Sequence, residues 1–200
     1  RGLMKKMWNT RKELHGMMTA EGFDEEKAKG MIVELRPSFL SMVQEVLKAR
    51  NEVYGILNDA QRSKIGAVLE VIGKRLEQPF IGPRDMMHAA MTRRLELTSE
   101  QKGKLETIMK ETAPKMHGYV KTLFDMVKSE HTALANGPMS DEQIAESAEK
   151  AADLASEAIL EMGRTRTRVW ETLTPGQREK MEKMRGPMGR MEYRPGRMRM

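Results

Sequence analysis

A short pattern that starts helices occurs three times and constrains the fold more than any other feature. Leu-Thr-x-x-Gln stands at residues 97–101 and 173–177, and the variant Leu-Asn-x-x-Gln stands at residues 57–61. Thr or Asn can act as N-cap, and Gln three residues later can bond back to the N-cap N–H, which closes a capping box. The pattern therefore predicts three helix starts. Its positions are Leu57, Asn58, Gln61, Leu97, Thr98, Gln101, Leu173, Thr174 and Gln177.

The chain also repeats itself over a longer distance. When the sequence is shifted by 116 residues, residues 2–64 align with residues 118–180 without a gap. Identical pairs run along the whole alignment, among them Lys5 with Lys121, His15 with His131, Arg50 with Arg166, and Gln61 with Gln177. This constant register indicates a tandem duplication.

Apolar residues recur at three- and four-residue steps along most of the chain, which predicts helices and no strand. The predicted helices cover residues 2–20, 25–57, 59–77, 115–135, 141–172 and 175–185, and a further helix starts at Thr98. That helix should weaken before Pro114, and Pro37 should kink the long helix that contains it. The fold class is therefore all-α.

The repeat and the breaks between helices suggest two units. Residues 1–78 form the first unit and residues 85–185 the second, and residues 79–84 read as a linker because they contain two prolines and a glycine. Residues 186–200 form a basic tail rich in Met, Arg, Gly and Pro, for which we expect loose order.

Several function classes are disfavoured by composition. The chain has no cysteine, which excludes disulfides, thiolate metal sites and cysteine nucleophiles. It has no apolar run long enough to span a membrane. No glycine-rich phosphate loop, His-Glu-x-x-His run or Gly-x-Ser-x-Gly elbow is present, so we expect no catalysis. A net charge of +6 with only 4% aromatic residues also argues against nucleic-acid binding.

The boxes, the 20 methionines, the lack of cysteine and the basic balance together resemble the Spy/CpxP family of bacterial envelope-stress proteins. Residues 54–61 and 170–177 look like the second motif of that family, and residues 97–101 look like its first. Family members are typically four-helix chains that dimerise into a thin, curved cradle. The resemblance thus implies two Spy/CpxP-like units in one chain, which form a cradle-like and monomeric pseudo-dimer.

The resemblance also implies a location and two candidate functions. Family members of the Spy type are ATP-independent periplasmic chaperones, and others dampen envelope-stress signalling or bind heavy metals. We therefore expect a periplasmic holdase that binds unfolded or misfolded proteins, with an envelope-stress sensor as a further candidate partner. The alternative is a periplasmic protein of copper or zinc binding, resistance or sensing.

A stripe of apolar and basic residues recurs at residues 2–18 and 118–134. Lys5 and Lys12 are two helical turns apart and so share a face. Such a stripe is typical of an amphipathic helix with a solvated edge, but methionine and lysine also suit a surface for unfolded clients. The candidate client-binding residues are Met4, Lys5, Met7, Trp8, Lys12, Val120, Lys121, Leu123, Phe124 and Lys128.

One group of residues has the chemistry of a soft-metal site. Met87, His88 and Met91 combine thioether and imidazole ligands, which suit copper(I). Methionine is abundant throughout the chain, so this group can also arise by chance. We expect no other cofactor.

The two units differ in what precedes them. Before Gly118, the second unit has residues 85–117, which include a box, whereas only Arg1 precedes Gly2 in the first unit. A first unit without that helix would leave apolar faces uncovered. We therefore expect the native gene product to be longer, with a signal peptide and then a helix that resembles residues 85–112.

Overall fold

The computed structural model describes residues 23–77 and 92–184, and within these ranges the chain is all-α with no strand. This confirms the predicted fold class. The five helices are α1 (Glu25–Ile56), α2 (Asp59–Glu77), α3 (Ser99–Asn136), α4 (Asp141–Thr172) and α5 (Pro175–Met184). The helix predicted at residues 2–20, the linker at residues 79–84 and the tail at residues 186–200 lie outside the described residues.

The helix starts follow the capping patterns of the sequence. At α3, the Gln101 N–H donates to Thr98 Oγ1 at 3.2 Å, and the Thr98 N–H donates to Gln101 Oε1 at 3.0 Å. Asn58 and Gln61 make the same reciprocal pair before α2, at 3.0 and 2.9 Å. Each box satisfies two backbone donors that a helix start would otherwise leave free. The predicted boxes are therefore real helix starts.

Helix α3 is longer than the sequence predicted. It runs without a break for 38 residues and contains Pro114, so the expected weakening before this proline is wrong. Proline removes one backbone donor, but contacts with α4 hold both sides of it. Thr112 Oγ1 lies 3.2 Å from Thr165 Oγ1, and Lys115 Nζ donates to Glu161 Oε1 at 3.0 Å.

Helix α4 is the central helix of the described body, since α1 and α3 both pack against it. It runs antiparallel to α1, because Glu25 at the start of α1 pairs with Arg164 and Asn51 near its end bonds Met139, which precedes α4. It is antiparallel to α3 as well. Near the end of α1, Arg50 bonds Glu130 of α3.

Helix α2 lies against the second half of α3 and approaches it closely at two glycines. A Cβ added at Gly66 would lie 3.1 Å from His131 Nε2, and one added at Gly73 would lie 3.1 Å from a ring carbon of Phe124. Both distances are shorter than an ordinary van der Waals contact. Larger residues at these positions would therefore push α2 away from α3.

Two contacts between α1 and α4 are related by the 116-residue shift. The Phe23 N–H donates to Thr167 Oγ1 at 3.3 Å, and the Met139 N–H donates to Asn51 Oδ1 at 3.0 Å. These bonds are counterparts, since a shift of 116 residues converts one donor into the other and one acceptor into the other. Equivalent helices thus pair with each other, as a duplicated chain allows. The cradle-like pseudo-dimer as a whole stays a prediction.

Candidate functional site

An open apolar groove lies where α1, α3 and α4 meet, and it has a volume of about 430 Å³. Phe39, Met42, Val43, Val46 and Leu47 of α1 line one side. Met116, Tyr119, Val120, Leu123, Met126 and Val127 of α3 line another. The α4 side consists of Ala151, Leu154, Ala155 and Ala158. We call this feature the groove.

The groove follows from side-chain size and helix order. Each wall presents residues three or four apart, such as Met42 with Val46 and Val120 with Leu123, which fall on one helical face. The facing residues of α4 include Ala151 and Ala155, whose side chains end at Cβ. Small residues in this position leave volume that the walls do not fill.

The walls of the groove are exposed to an unusual degree for large apolar side chains. Met42 is 39% exposed, Val46 48%, Val120 49% and Leu123 50%. A contiguous apolar patch of this kind marks a place where soluble proteins bind something. Covering it would be favourable by roughly 25 cal/mol for each Å² removed from water.

The charged groups at the groove are already paired. Glu130 lies at one end, where its carboxylate accepts from Arg50 Nη1 at 2.6 Å and from Ser147 Oγ at 2.5 Å. Next to Met116 of the lining, Lys115 bonds Glu161 at 3.0 Å. These polar groups satisfy each other and do not converge on the interior. The lining is therefore suited to apolar surface rather than to one oriented polar ligand.

The structure divides the predicted client-binding residues of α3 between two surfaces. Val120 and Leu123 line the groove. Phe124 instead lies against Gly73 of α2. The Lys121 ammonium donates to Asp125 at 2.8 Å, and this hydrogen bond raises the pKa of Lys121.

The remaining predicted client-binding residues have different outcomes. Lys128 is exposed to solvent. The predicted residues of the first unit, which are Met4, Lys5, Met7, Trp8 and Lys12, lie outside the described residues. The mixed apolar and basic surface as a whole therefore stays a prediction.

Sequence reasoning missed the other two sides of the groove. Met42 and Val46 belong to a heptad-like seam in α1 that resembles an ordinary buried interface. The signal that could have found the groove is the run of alanines in α4, since a floor of small residues opposite two apolar walls leaves unfilled space. That inference needs the partner helices, which a single sequence does not supply.

A second feature joins two of the boxes at one end of the body. Gln101 Nε2 donates to Gln177 Oε1 at 2.7 Å, and Gln177 Nε2 donates to Gln101 Oε1 at 3.1 Å. The same two amides donate to the carbonyls of Thr172 and Leu95, at 2.9 and 3.1 Å. We call this arrangement, between residues 97–101 and 173–177, the clasp.

The clasp also contains a small apolar core. Buried leucines from both boxes meet there, and Val169 and Met181 pack against them. Glu96, which has a left-handed backbone conformation (φ 53°), pairs with Lys180 at 3.1 Å. The buried members are Leu95, Leu97, Leu105, Ile108 and Leu173. The boxes were predicted as separate helix starts, and their mutual contact was not foreseen.

The third box follows the end of α1, at the opposite end of the described body from the clasp. Within the described residues it contacts no second box. Leu57 is only half-buried and Gln61 is exposed, whereas Leu173 is 3% exposed. Within the described residues, Gln61 bonds Asn58 and its amide nitrogen has no second box to bond. We call residues 57–61 the open box.

The candidate copper site cannot be placed, because Met87, His88 and Met91 lie outside the described residues. In the part of the chain that the structure describes, no three His, Asp or Glu side chains are grouped so that they could hold a metal ion. Nor does any described helix have the length and apolar character that crossing a bilayer requires.

Comparison with known proteins identifies the family. The model of the LTXXQ motif family protein matches residues 1–69 and 84–185, which is most of the chain and falls on two separate regions. The chain belongs to this family, in agreement with the Spy/CpxP resemblance read from its boxes. No curated protein and no solved structure matches the chain.

Proposed function

We propose that this protein is a periplasmic, ATP-independent holdase that binds unfolded or misfolded proteins in the groove. The observation that carries the proposal is the groove itself, with four large apolar side chains between 39% and 50% exposed on facing helices. An unfolded chain offers short apolar segments of many shapes, and an open groove can cover such segments without reading their sequence.

The chemistry of the lining favours a promiscuous client over a defined ligand. Three methionines, Met42, Met116 and Met126, line the groove, and their flexible thioether side chains adapt to different shapes. A site for one small molecule needs a few convergent polar groups to orient it. The charged groups of the lining are Arg50 and Glu130, which bond each other.

We propose no catalytic activity for this groove, since its interior carries no free nucleophile or acid–base pair. Membership of the LTXXQ family supports the periplasmic location, because proteins of this family are typically secreted or periplasmic. Fractionation of the native host tests the location directly. Recovery of the protein in the cytoplasmic fraction would overturn that part of the proposal.

The proposal is tested by changing the groove and measuring aggregation of a chemically unfolded client, with light scattering as the readout. Val120→Ser combined with Leu123→Ser should weaken suppression of aggregation about thirtyfold, because each change removes about 1 kcal/mol of apolar burial and the two together remove about 2 kcal/mol. Ala155→Leu should weaken it too, since the larger side chain fills the α4 side of the groove.

The matched control is Val68→Ser combined with Val71→Ser on α2. These valines are also three residues apart and are 58% and 68% exposed, but they do not line the groove. The control should keep full activity. Loss of activity in the control, or unchanged activity in the groove variants, would contradict the proposal. Repeating the assay with a chelator and then with added copper distinguishes the holdase from the metal-dependent alternative. That alternative predicts suppression of aggregation only when metal is present.

A further inference from the structure

The described lining of the groove offers almost no partner to the backbone of a client. Its three sides are helices, whose backbone N–H and C=O groups bond within the same helix. The charged side chains of the lining, Arg50 and Glu130, bond each other, and the Tyr119 hydroxyl is the one other strong hydrogen-bonding group among the described lining residues. A client segment in the groove therefore has to pair its own backbone groups.

This requirement separates two forms of an apolar segment. An extended segment exposes N–H and C=O groups along its whole length, and each group that is buried without a partner carries a desolvation cost. A helix pairs these groups internally except at its ends. It also gathers residues three and four apart into one apolar face, which an apolar groove can cover. The chemistry of the lining therefore favours a helical client segment.

The arrangement of the three helices leaves space for a fourth. Helices α1 and α3 are both antiparallel to α4, so they run parallel to each other, and each packs mainly against α4. Ala151, Ala155 and Ala158 of α4 line the groove between them and are four and three residues apart, hence on one helical face. Small side chains let helix axes approach to about 8 Å. A helix above these alanines would complete a four-helix bundle.

The groove is continuous with a packed interface between helices. Val43 and Leu47 line it, and both also take part in the buried cluster that joins α1 to Leu134 of α3. The lining of α1 runs from Phe39 to Arg50, which is about 16 Å along the helix axis and about three turns. A client helix of about 11 to 14 residues would span this length and extend the packing of the cluster.

We propose that the groove binds client segments as amphipathic helices, in preference to extended apolar segments. The occupant is a segment of three to four turns with apolar residues three and four positions apart and polar residues on the opposite face, which stays in water. Its exact sequence matters little, because the lining reads only apolar surface and a paired backbone. This inference rests on the proposed function, since it names the form in which the client enters the same groove.

The test compares three fluorescent peptides of about 14 residues that have the same composition of leucine, lysine, glutamate and alanine. In the first peptide, the leucines are three and four positions apart. The second has the same residues with alternating leucines, and the third is the first peptide with D-amino acids at two central polar positions, which break a helix. Anisotropy titrations with the full chain should show at least about tenfold tighter binding of the first peptide than of the other two. Carbon-13 shifts of the bound first peptide should be helical.

Variants of the protein locate the binding. Val120→Ser combined with Leu123→Ser should weaken binding of the first peptide about thirtyfold, as the loss of two apolar side chains from the lining implies. The matched control, Val68→Ser combined with Val71→Ser on α2, should bind this peptide as the unaltered protein does, because these valines lie outside the groove.

Equal affinity for the first and second peptides, equal affinity for the first and third, or extended carbon-13 shifts of the bound peptide would overturn the proposal. If the groove variants still lost suppression of aggregation, the holdase proposal would stand and only the preference for helices would fail. If the groove variants changed neither assay, the proposed function would fail as well. Crosslinks from a photoreactive residue at position 123 to residues 2–18 of the same chain, undiminished by saturating peptide, would also overturn it. The chain's own segment would then be the occupant.

Discussion

At one end of the α1–α4 pair, the box at residues 173–177 is bonded to the box at residues 97–101. At the opposite end, the box at residues 57–61 meets no second box among the described residues. Both ends have the same capping bonds and related sequences. At the clasped end, Leu173 is 3% exposed in a cluster that joins leucines of both boxes. At the opposite end, Leu57 is half-buried and packs against a cluster that contains Leu47 and Leu134 but no second box.

The Leu-Thr-x-x-Gln motif thus has two separable structural functions, which are capping a helix and clasping a second box. Capping needs only the reciprocal bonds between N-cap and Gln, and Asn58 with Gln61 makes them in isolation. Clasping needs the amide N–H donors, which capping leaves free. This accounts for the Gln at positions 101 and 177, since Glu would cap as well but could not donate.

The largest expected effect is a difference in stability between variants at the clasp and variants at the open box. Gln101→Glu keeps the capping box but loses the bonds from Nε2 to the Thr172 carbonyl and Gln177 Oε1, so the free energy of unfolding should fall by about 1–3 kcal/mol. Gln61→Glu should change it by less than about 0.5 kcal/mol, as surface substitutions usually do. Urea denaturation of both variants measures the difference, and equal losses would mean that the clasp adds nothing to the caps.

Loss of an N-cap should have a smaller effect on stability, and this effect should be the same at the clasp and at the open box. Thr98→Ala, Thr174→Ala and Asn58→Ala each remove an N-cap acceptor and should each cost about 1 kcal/mol of stability. Thermal melts followed by circular dichroism provide the measurement. If Thr98→Ala or Thr174→Ala abolished client binding without moving the Tm, the motif would be a recognition site and the structural interpretation would fail.

The smallest effect concerns pH at the clasped end. There the hydrogen bond from Arg164 lowers the pKa of Glu25 from 4.5 to about 2. A lowered folded-state pKa gives stability that is present above the unfolded pKa and lost as pH falls through the folded one. The stability difference between the unaltered protein and Arg164→Gln should therefore shrink between about pH 5 and pH 2.

Both partners of this pair are partly exposed, so the effect is small. Their counterparts under the repeat, Asp141 and Lys48, form no ion pair within the described chain. The stability difference between the unaltered protein and Lys48→Gln should accordingly not depend on pH in this range. Urea midpoints across this pH range compare the two variants. An equally large pH-dependent stability difference for Lys48→Gln would contradict the expected difference between the two ends.

The sequence predicted the local structure well, because local structure depends on local signals. The boxes marked the starts of α2, α3 and α5, and their capping bonds confirm these starts. Pro114 misled the prediction, since a proline penalty is local whereas the contacts of Thr112 and Lys115 with α4 that support the continuous helix are not.

Only two residues of the groove had been singled out from the sequence. Val120 and Leu123 line the groove, and their apolar spacing was the signal for them. The α1 wall and the alanines of α4 acquire their role through packing, which residue spacing does not encode. The clasp was missed for the same reason, because the partner of Gln101 is 76 residues away in the chain.

The most direct test of the central claim, that clients bind in the groove, is site-specific photo-crosslinking to an unfolded client. A photoreactive residue at Leu123, which is 50% exposed in the groove, is compared with one at Val71, which is 68% exposed on α2. Client adducts are expected at Leu123, with few at Val71, despite the greater exposure of Val71. Equal adducts at both positions, or adducts at Val71 alone, would contradict it.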